Sequence, residues 1–234
     1  RGIVTPRMTR DDERLVHGNE ILIELDPVYE AGSTQYRTPL HTVGAVLDAL
    51  STRGVAMPSG WTPPEGVSSS GDAFLGYLML DALIGNTDRH HENWGAIESL
   101  GENDEEAVLA LAPTFDHASS LGRNEPLDRM AERLATRDHG FTVEAYAARA
   151  HSALFSDPAD SKPLTPHDAF ELGAVMHPEA ARAWCNRLQV FQDAALKTML
   201  MEVPEERMHP DAKEFALRML IFNRDRLEEL CQSA

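Results

Sequence analysis

The sequence predicts a mainly α-helical chain with one small β-hairpin, and three observations point there. The apolar run Phe74, Leu75, Tyr77, Leu78, Met79, Leu80, Leu83 and Ile84 surrounds a helix almost completely, the pattern of a buried helix. Nearly everything after Ser120 repeats apolar residues at helical spacing. Between these regions lie two short strand-like runs, Trp94 to Ile97 and Ala107 to Leu111, joined by the acidic turn Gly101 to Glu106.

In chain order, Gly2 to Thr5 reads as a short strand rich in β-branched residues and ended by Pro6. A charged stretch runs to Arg14, and Leu15 to Glu20 leads into the apolar Ile21-Leu22-Ile23. Thr38 to Leu50 places Leu40, Val43, Val46, Leu47 and Leu50 on one helical face. Ser51 to Ser70 is rich in Gly, Pro and Ser and reads as a loop. The buried helix spans Asp72 to Ile84, with Gly85 or Asn86 as its natural stop. Helices follow at about 126–136, 142–155, 165–176, 178–202 and 210–232. Thr165 is a good N-cap, with Pro166 in the first helical position and Asp168 in the first turn. There is no internal repeat and no low-complexity tract.

Bulk properties narrow the function classes. The chain of 234 residues is 42% hydrophobic and 25% charged, values of an ordinary globular protein, and is long enough for one sizeable core or two small ones. A formal charge of −17 repels phosphate backbones and anionic lipid, so direct nucleic-acid binding and membrane docking are disfavoured. No apolar run reaches the roughly 18 residues that signal a membrane-spanning helix, and no signal peptide opens the chain. Two cysteines argue against a disulfide framework and fit a reducing cytoplasm.

Chemistry concentrates in two segments, Gly85-Asn86-Thr87-Asp88-Arg89-His90-His91-Glu92-Asn93-Trp94 and Leu111-Ala112-Pro113-Thr114-Phe115-Asp116-His117. An aspartate five residues before an asparagine, followed later by an aromatic-Asp pair, is the order of a phosphoryl-transfer site. In that order Asp88 positions and deprotonates a hydroxyl, while Asn93 and Asp116 bring oxygen ligands to magnesium from separate backbone segments. Taken alone, Asn86-Thr87-Asp88 would serve equally well as a turn or helix cap. His90, His91, Glu92 and His117 raise zinc as an alternative, but the tandem pair lacks the spacing that sets two His on one helical face, and no Cys lies nearby.

These residues resemble the C-terminal lobe of HipA-type serine/threonine kinases. The Asp-Arg-His-x-x-Asn pattern is also similar, more distantly, to phosphatidylinositol 3- and 4-kinases. The resemblance implies a protein-kinase-like C-lobe whose hairpin carries the metal-binding segments. Residues 1–20 would be a hinge and remnant of the N-lobe edge, and 21–234 the helical C-lobe, with catalytic loop 85–94 and metal-binding segment 111–120. It implies ATP and Mg2+ as cofactors, Asp88 as catalytic residue and Asn93 and Asp116 as metal ligands. The nucleotide would meet the hinge strand at Ile3, Val4 and Thr5, and His90. Family members phosphorylate protein Ser or Thr hydroxyls, and the best known are toxins held by an antitoxin. A protein substrate, an antitoxin or a separate N-lobe chain are the partners so implied.

One departure is large. A kinase pairs a cation, normally Lys, with the nucleotide phosphates and covers them with a glycine-rich loop. Here the lysines are Lys162, Lys197 and Lys213, all beyond Asp116, and the fifteen glycines form no G-x-G-x-x-G. The expectation is a C-lobe inactive without a missing N-lobe. Competing expectations are a lipid-kinase-like phosphotransferase and a non-catalytic interaction module; intact Asp88, Asn93 and Asp116 weigh against the latter.

Overall fold

The computed structural model describes residues 7–32, 37–99 and 107–233. The expected first strand, the hinge positions Ile3, Val4 and Thr5, and the acidic turn at 101–106 lie outside the described residues. In order, the elements are β1 (Glu13–His17), α1 (Gly18–Leu25), α2 (Pro27–Gly32), α3 (Val43–Thr52), α4 (Ser70–Ile84), β2 (Gly95–Ser99), β3 (Val108–Leu111) and α5 (Leu127–Ala135). Then come α6 (Val143–Ala147), α7 (Pro166–Met176), α8 (Pro178–Leu188), α9 (Asp193–Met201) and α10 (Pro210–Ser233). The fold is mainly helical, as the sequence predicts.

The predicted hairpin is present as β2 and β3, antiparallel with Ala96 opposite Leu111. It is not alone. β1 adds to the other edge of β2, with Leu15 opposite Ile97 and His17 opposite Gly95. The short, charged β1 gives little strand signal of its own; its pairing is supplied by β2, and Arg14 reaches Glu98 across the ladder. Gly95 is required there, because a Cβ would lie 2.2 Å from the Val16 carbonyl oxygen.

α4 is the central helix. Phe74, Leu75, Leu78, Ala82 and Leu83 are buried, and α3, α7, α8 and α10 pack round it, so apolar residues are needed on every side. Its start falls two residues earlier than predicted because Ser69 and Asp72 form a capping box. α7 begins at Pro166 behind Thr165, whose side chain accepts from the Asp168 amide.

Two predicted helices are interrupted by tertiary contacts. The 142–155 pattern stops at Ala147, because residues 152–155 run extended beside the start of α3. Phe155 donates its amide to the His41 carbonyl (3.0 Å) and accepts from the Val43 amide (3.2 Å). The 178–202 pattern breaks between α8 and α9, where Arg224 of α10 donates to the Phe191 carbonyl (3.0 Å) and to Asp193. The two cysteines are also paired: Cys185 of α8 and Cys231 of α10 form a disulfide. The cysteine count therefore lends no support to a reducing compartment. No helix among the described residues is long and apolar enough to cross a membrane.

Two buried histidines tie distant segments. His41 donates Nδ1–H to the Ala153 carbonyl (3.1 Å) and accepts at Nε2 from the Trp94 indole (3.1 Å); His167 donates Nε2–H to the Asn223 carbonyl (3.1 Å). Burial pushes their pKa values down, to about 3 for His41 and about 4 for His167. The unfolded chain protonates both near pH 6.5 and the folded one does not, so their contribution is complete above that pH and is lost as pH falls towards 4. Unfolding free energies from urea titrations between pH 7 and pH 4.5 should fall, by up to roughly 1.4 kcal/mol per pH unit for each histidine. Replacing both by Gln should flatten that limb; an unchanged slope would show that other groups set it.

Candidate active site

The catalytic-loop candidate begins where α4 ends. Gly85 takes a left-handed conformation (φ 61°), and the Asn86 amide bonds back to the Asp81 carbonyl (2.8 Å). The wholly buried Asn86 donates its side-chain amide to Asp81 Oδ1 (2.8 Å) and accepts the Asp88 amide at its Oδ1 (3.1 Å). Asn86 is thus a spacer that sets the path of the chain into Asp88.

Arg89 holds the loop together. Its guanidinium is buried and grips Asp81 through two bonds of 2.7 Å, Nε to Oδ2 and Nη2 to Oδ1. Nη1 donates to the Asn93 carbonyl, and Nη2 also reaches Thr114 Oγ1 (3.0 Å) in the segment before Asp116. Thr114 in turn is 2.8 Å from His117 Nε2. One side chain therefore joins α4, the loop and the segment that follows β3. The Tyr77 hydroxyl adds a second tie from α4, donating to the Ala112 carbonyl (3.0 Å), and burial raises its pKa to about 12.

Of the three residues predicted to carry the chemistry, Asp88 and Asn93 meet directly on this frame, and Asp116 lies near enough for its charge to act on His90. The Asp88 carbonyl accepts from the Asn93 side-chain amide (2.8 Å), and the Asp88 carboxylate accepts from Ser119 Oγ (3.3 Å). The bond to Asp88 fixes the Asn93 amide, and its Oδ1 accepts no hydrogen bond among the described residues. Asp116 is exposed and held at a positive φ of 52°, an uncommon state for a residue with a side chain. The half-buried His90 imidazole is pushed below its usual pKa by burial, against the opposing charges of Asp88, Glu92 and Asp116. Burial likewise lowers His91 and His117.

The far end of the loop is seated on β1 and α1. Gly18 donates to the Trp94 carbonyl (2.9 Å) and Asn19 to the His91 carbonyl (3.0 Å), while His17 Nδ1 donates to the Glu92 carbonyl (2.8 Å). Gly18 has no room for a side chain, since a Cβ would fall 2.1 Å from the Trp94 ring.

The zinc alternative finds no support: among the described residues no three His, Cys, Asp or Glu are grouped to hold a metal. Asn93 and Asp116 fit magnesium better, because that ion takes one or two protein carboxylates or amide oxygens and keeps several waters.

Sequence reasoning missed Asp81, Thr114 and Ser119 as supports. Asp81 did leave a signal, as a lone carboxylate in the apolar half of a helix where a charge needs a buried partner.

No protein-family model and no curated protein matches the chain. Among solved structures it is similar to the crystal structure of the Helicobacter pylori proinflammatory kinase CtkA. The match has a TM-score of 0.65 at 17% identity and covers 95% of this chain and 68% of that one. The chain thus has a kinase-like fold.

Asp81→Ala should lower the unfolding free energy by roughly 3–5 kcal/mol, because it strands the buried Arg89 charge. The double variant Asp81→Leu/Arg89→Met should recover much of that loss. Denaturant titration that puts the single variant within about 1 kcal/mol of wild type would mean that the pair behaves like a surface bridge.

Proposed function

We propose that this chain is the catalytic C-lobe of an ATP- and magnesium-dependent kinase that phosphorylates serine or threonine hydroxyls of a polypeptide. The observation that carries the proposal is the Arg89 frame: a single buried guanidinium joins the segments bearing Asp88, Asn93 and Asp116. A loop kept only as scaffold has no physical need for an exposed carboxylate held at positive φ in the segment that Arg89 ties to it. The likeness to a structure described as a kinase supports the same reading.

In this mechanism Asp88 orients the acceptor hydroxyl and takes its proton. Ser119 and the bond between Asn86 and the Asp88 amide hold it in place. Asn93 Oδ1 and Asp116 would hold magnesium, which when bound neutralises charge on the phosphoryl oxygens. Catalysis of this kind is mostly positioning and electrostatics, which is why a rigid loop matters.

Asp88→Asn in the full-length protein should reduce phosphoryl transfer about 10²–10⁴-fold while leaving nucleotide affinity nearly unchanged. Turnover above about half of wild type would exclude Asp88 as the base.

Asp116→Ala should weaken nucleotide binding only when magnesium is present, since it deletes an anionic metal ligand. Calorimetric titration with and without magnesium distinguishes the cases. Equal loss in both would assign Asp116 a structural role.

A further inference from the structure

A cleft of about 350 Å³ opens beside the catalytic loop, walled by Thr87 and Ser119 and lined by Arg37, Arg123, Arg149 and His151. Thr87 directly precedes Asp88, and Ser119 is the residue bonded to the Asp88 carboxylate. Asn93 and Asp116 do not line the cleft. Asp88 does not line it either, so the cleft borders the site through Thr87 and Ser119, the neighbours of Asp88.

Its arginines stand out by their grouping: Arg137, Arg182 and Arg187 also have no ion pair among the described residues, but none of them lines this cleft. Acids outnumber Lys and Arg by 38 to 21, so carboxylate partners are plentiful. Arg7, Arg14, Arg53 and Arg129 all have one at the surface. Arg37, Arg123 and Arg149 are exposed and have no ion pair among the described residues. Each donates instead to a neutral oxygen, Arg37 to the Thr87 carbonyl (3.2 Å), Arg149 to the Gly140 carbonyl (3.0 Å) and Arg123 to Asn124 Oδ1 (3.5 Å). Most of the N–H donors of each planar fork stay free. Arg133, which also borders the cleft, shows the contrast. It is paired with Glu125 (2.6 Å), stacked on Phe141 and Tyr146, and so committed to the fold. Like charges gathered round one concavity repel.

We propose that this cleft binds an anionic side chain, carboxylate or phosphate, of the polypeptide substrate, next to the hydroxyl presented to Asp88. Planar guanidinium forks match the oxygens of both groups. The contact would select acidic or already phosphorylated sequences, and it would offset the repulsion that the rest of this acidic chain exerts on them. The inference rests on the kinase reading above, since it places the anion relative to an acceptor hydroxyl.

The test is nucleotide-free binding of fluorescein-labelled peptides to the full-length protein, read by anisotropy. A serine peptide is compared with neighbouring Gln, Glu or phosphoserine. The Glu or phosphoserine peptide should bind at least about tenfold tighter than the Gln peptide. Arg123→Gln/Arg149→Gln should remove that preference, and Arg187→Gln on α8 should keep it. Unchanged circular dichroism and urea midpoint show that the double variant is folded, and Arg123→Lys/Arg149→Lys should retain part of the preference through charge alone. Which anion binds tighter identifies the source, acidic sequence or prior phosphorylation. Equal binding of charged and neutral peptides, or a preference that survives the double Gln variant, overturns the proposal. A transfer assay on the same peptides separates the two readings. Anion binding without transfer to any peptide rejects the kinase function alone, and transfer without anion preference rejects the cleft alone.

Discussion

The Asp81–Arg89 pair is the constraint on which the rest of the site depends. Both groups are out of water, where an unpaired charge is very costly, so each must satisfy the other through the two-pronged contact. Arg89 has donors left over, and they are spent on the Asn93 carbonyl and Thr114. The buried central helix, α4, thereby dictates where the loop and a second segment lie. Replacing this pair by apolar residues would fill the same volume, but it would leave the loop carbonyl and Thr114 without their donor.

Along the loop, burial separates most residues from Asp88 and Asp116, with Asn93 a buried exception among the residues proposed to act. Asn86, Arg89, His91, Asn93 and Trp94 are buried, whereas Asp88 is partly open and Asp116 is exposed. Asp88 is held by Asn86, Asn93 and Ser119, and the donors of Asn86 and Arg89 are engaged by Asp81, the Asn93 carbonyl and Thr114. Positive φ at Asp116 and at Leu121 shows where the chain after β3 bends sharply to come back beside Asp88. The return is secured by Leu121 bonding to the Ile84 carbonyl (2.9 Å) and by Thr87 bonding to that of Ser119 (3.3 Å). Catalytic geometry of this kind is inherited from the core rather than made at the surface.

Charge acts on two scales. The net charge of −17 sets a repulsive field towards anions, while the cleft beside Asp88 holds several cations without carboxylate partners. A general field and a local exception of opposite sign give selectivity, because an anion is favoured at one place and disfavoured elsewhere.

The sequence by itself determined the helical character of the chain, the all-round burial of α4, the caps at Gly85 and Thr165, and the order of Asp88, Asn93 and Asp116. The helical pattern and the caps rest on residues within a few positions of one another, where periodicity and capping chemistry are local, and the order of Asp88, Asn93 and Asp116 is read from residue type and spacing. Tertiary structure decided the rest. β1 became a strand because β2 offered an edge, and residues 152–155 left their helical pattern to pair with the His41–Val43 backbone. The long 178–202 pattern broke where Arg224 takes the Phe191 carbonyl, and Cys185 met Cys231 only because α8 and α10 lie side by side. Asp81 and Arg89 were both visible in the sequence, yet their pairing depends on the turn at Gly85. The arginines of the cleft are separated by more than a hundred positions between Arg37 and Arg149 and converge only when α5, α6 and the catalytic loop are assembled. Contacts over such distances leave no periodic trace in one chain, since the partner that gives each residue its role is supplied by the fold.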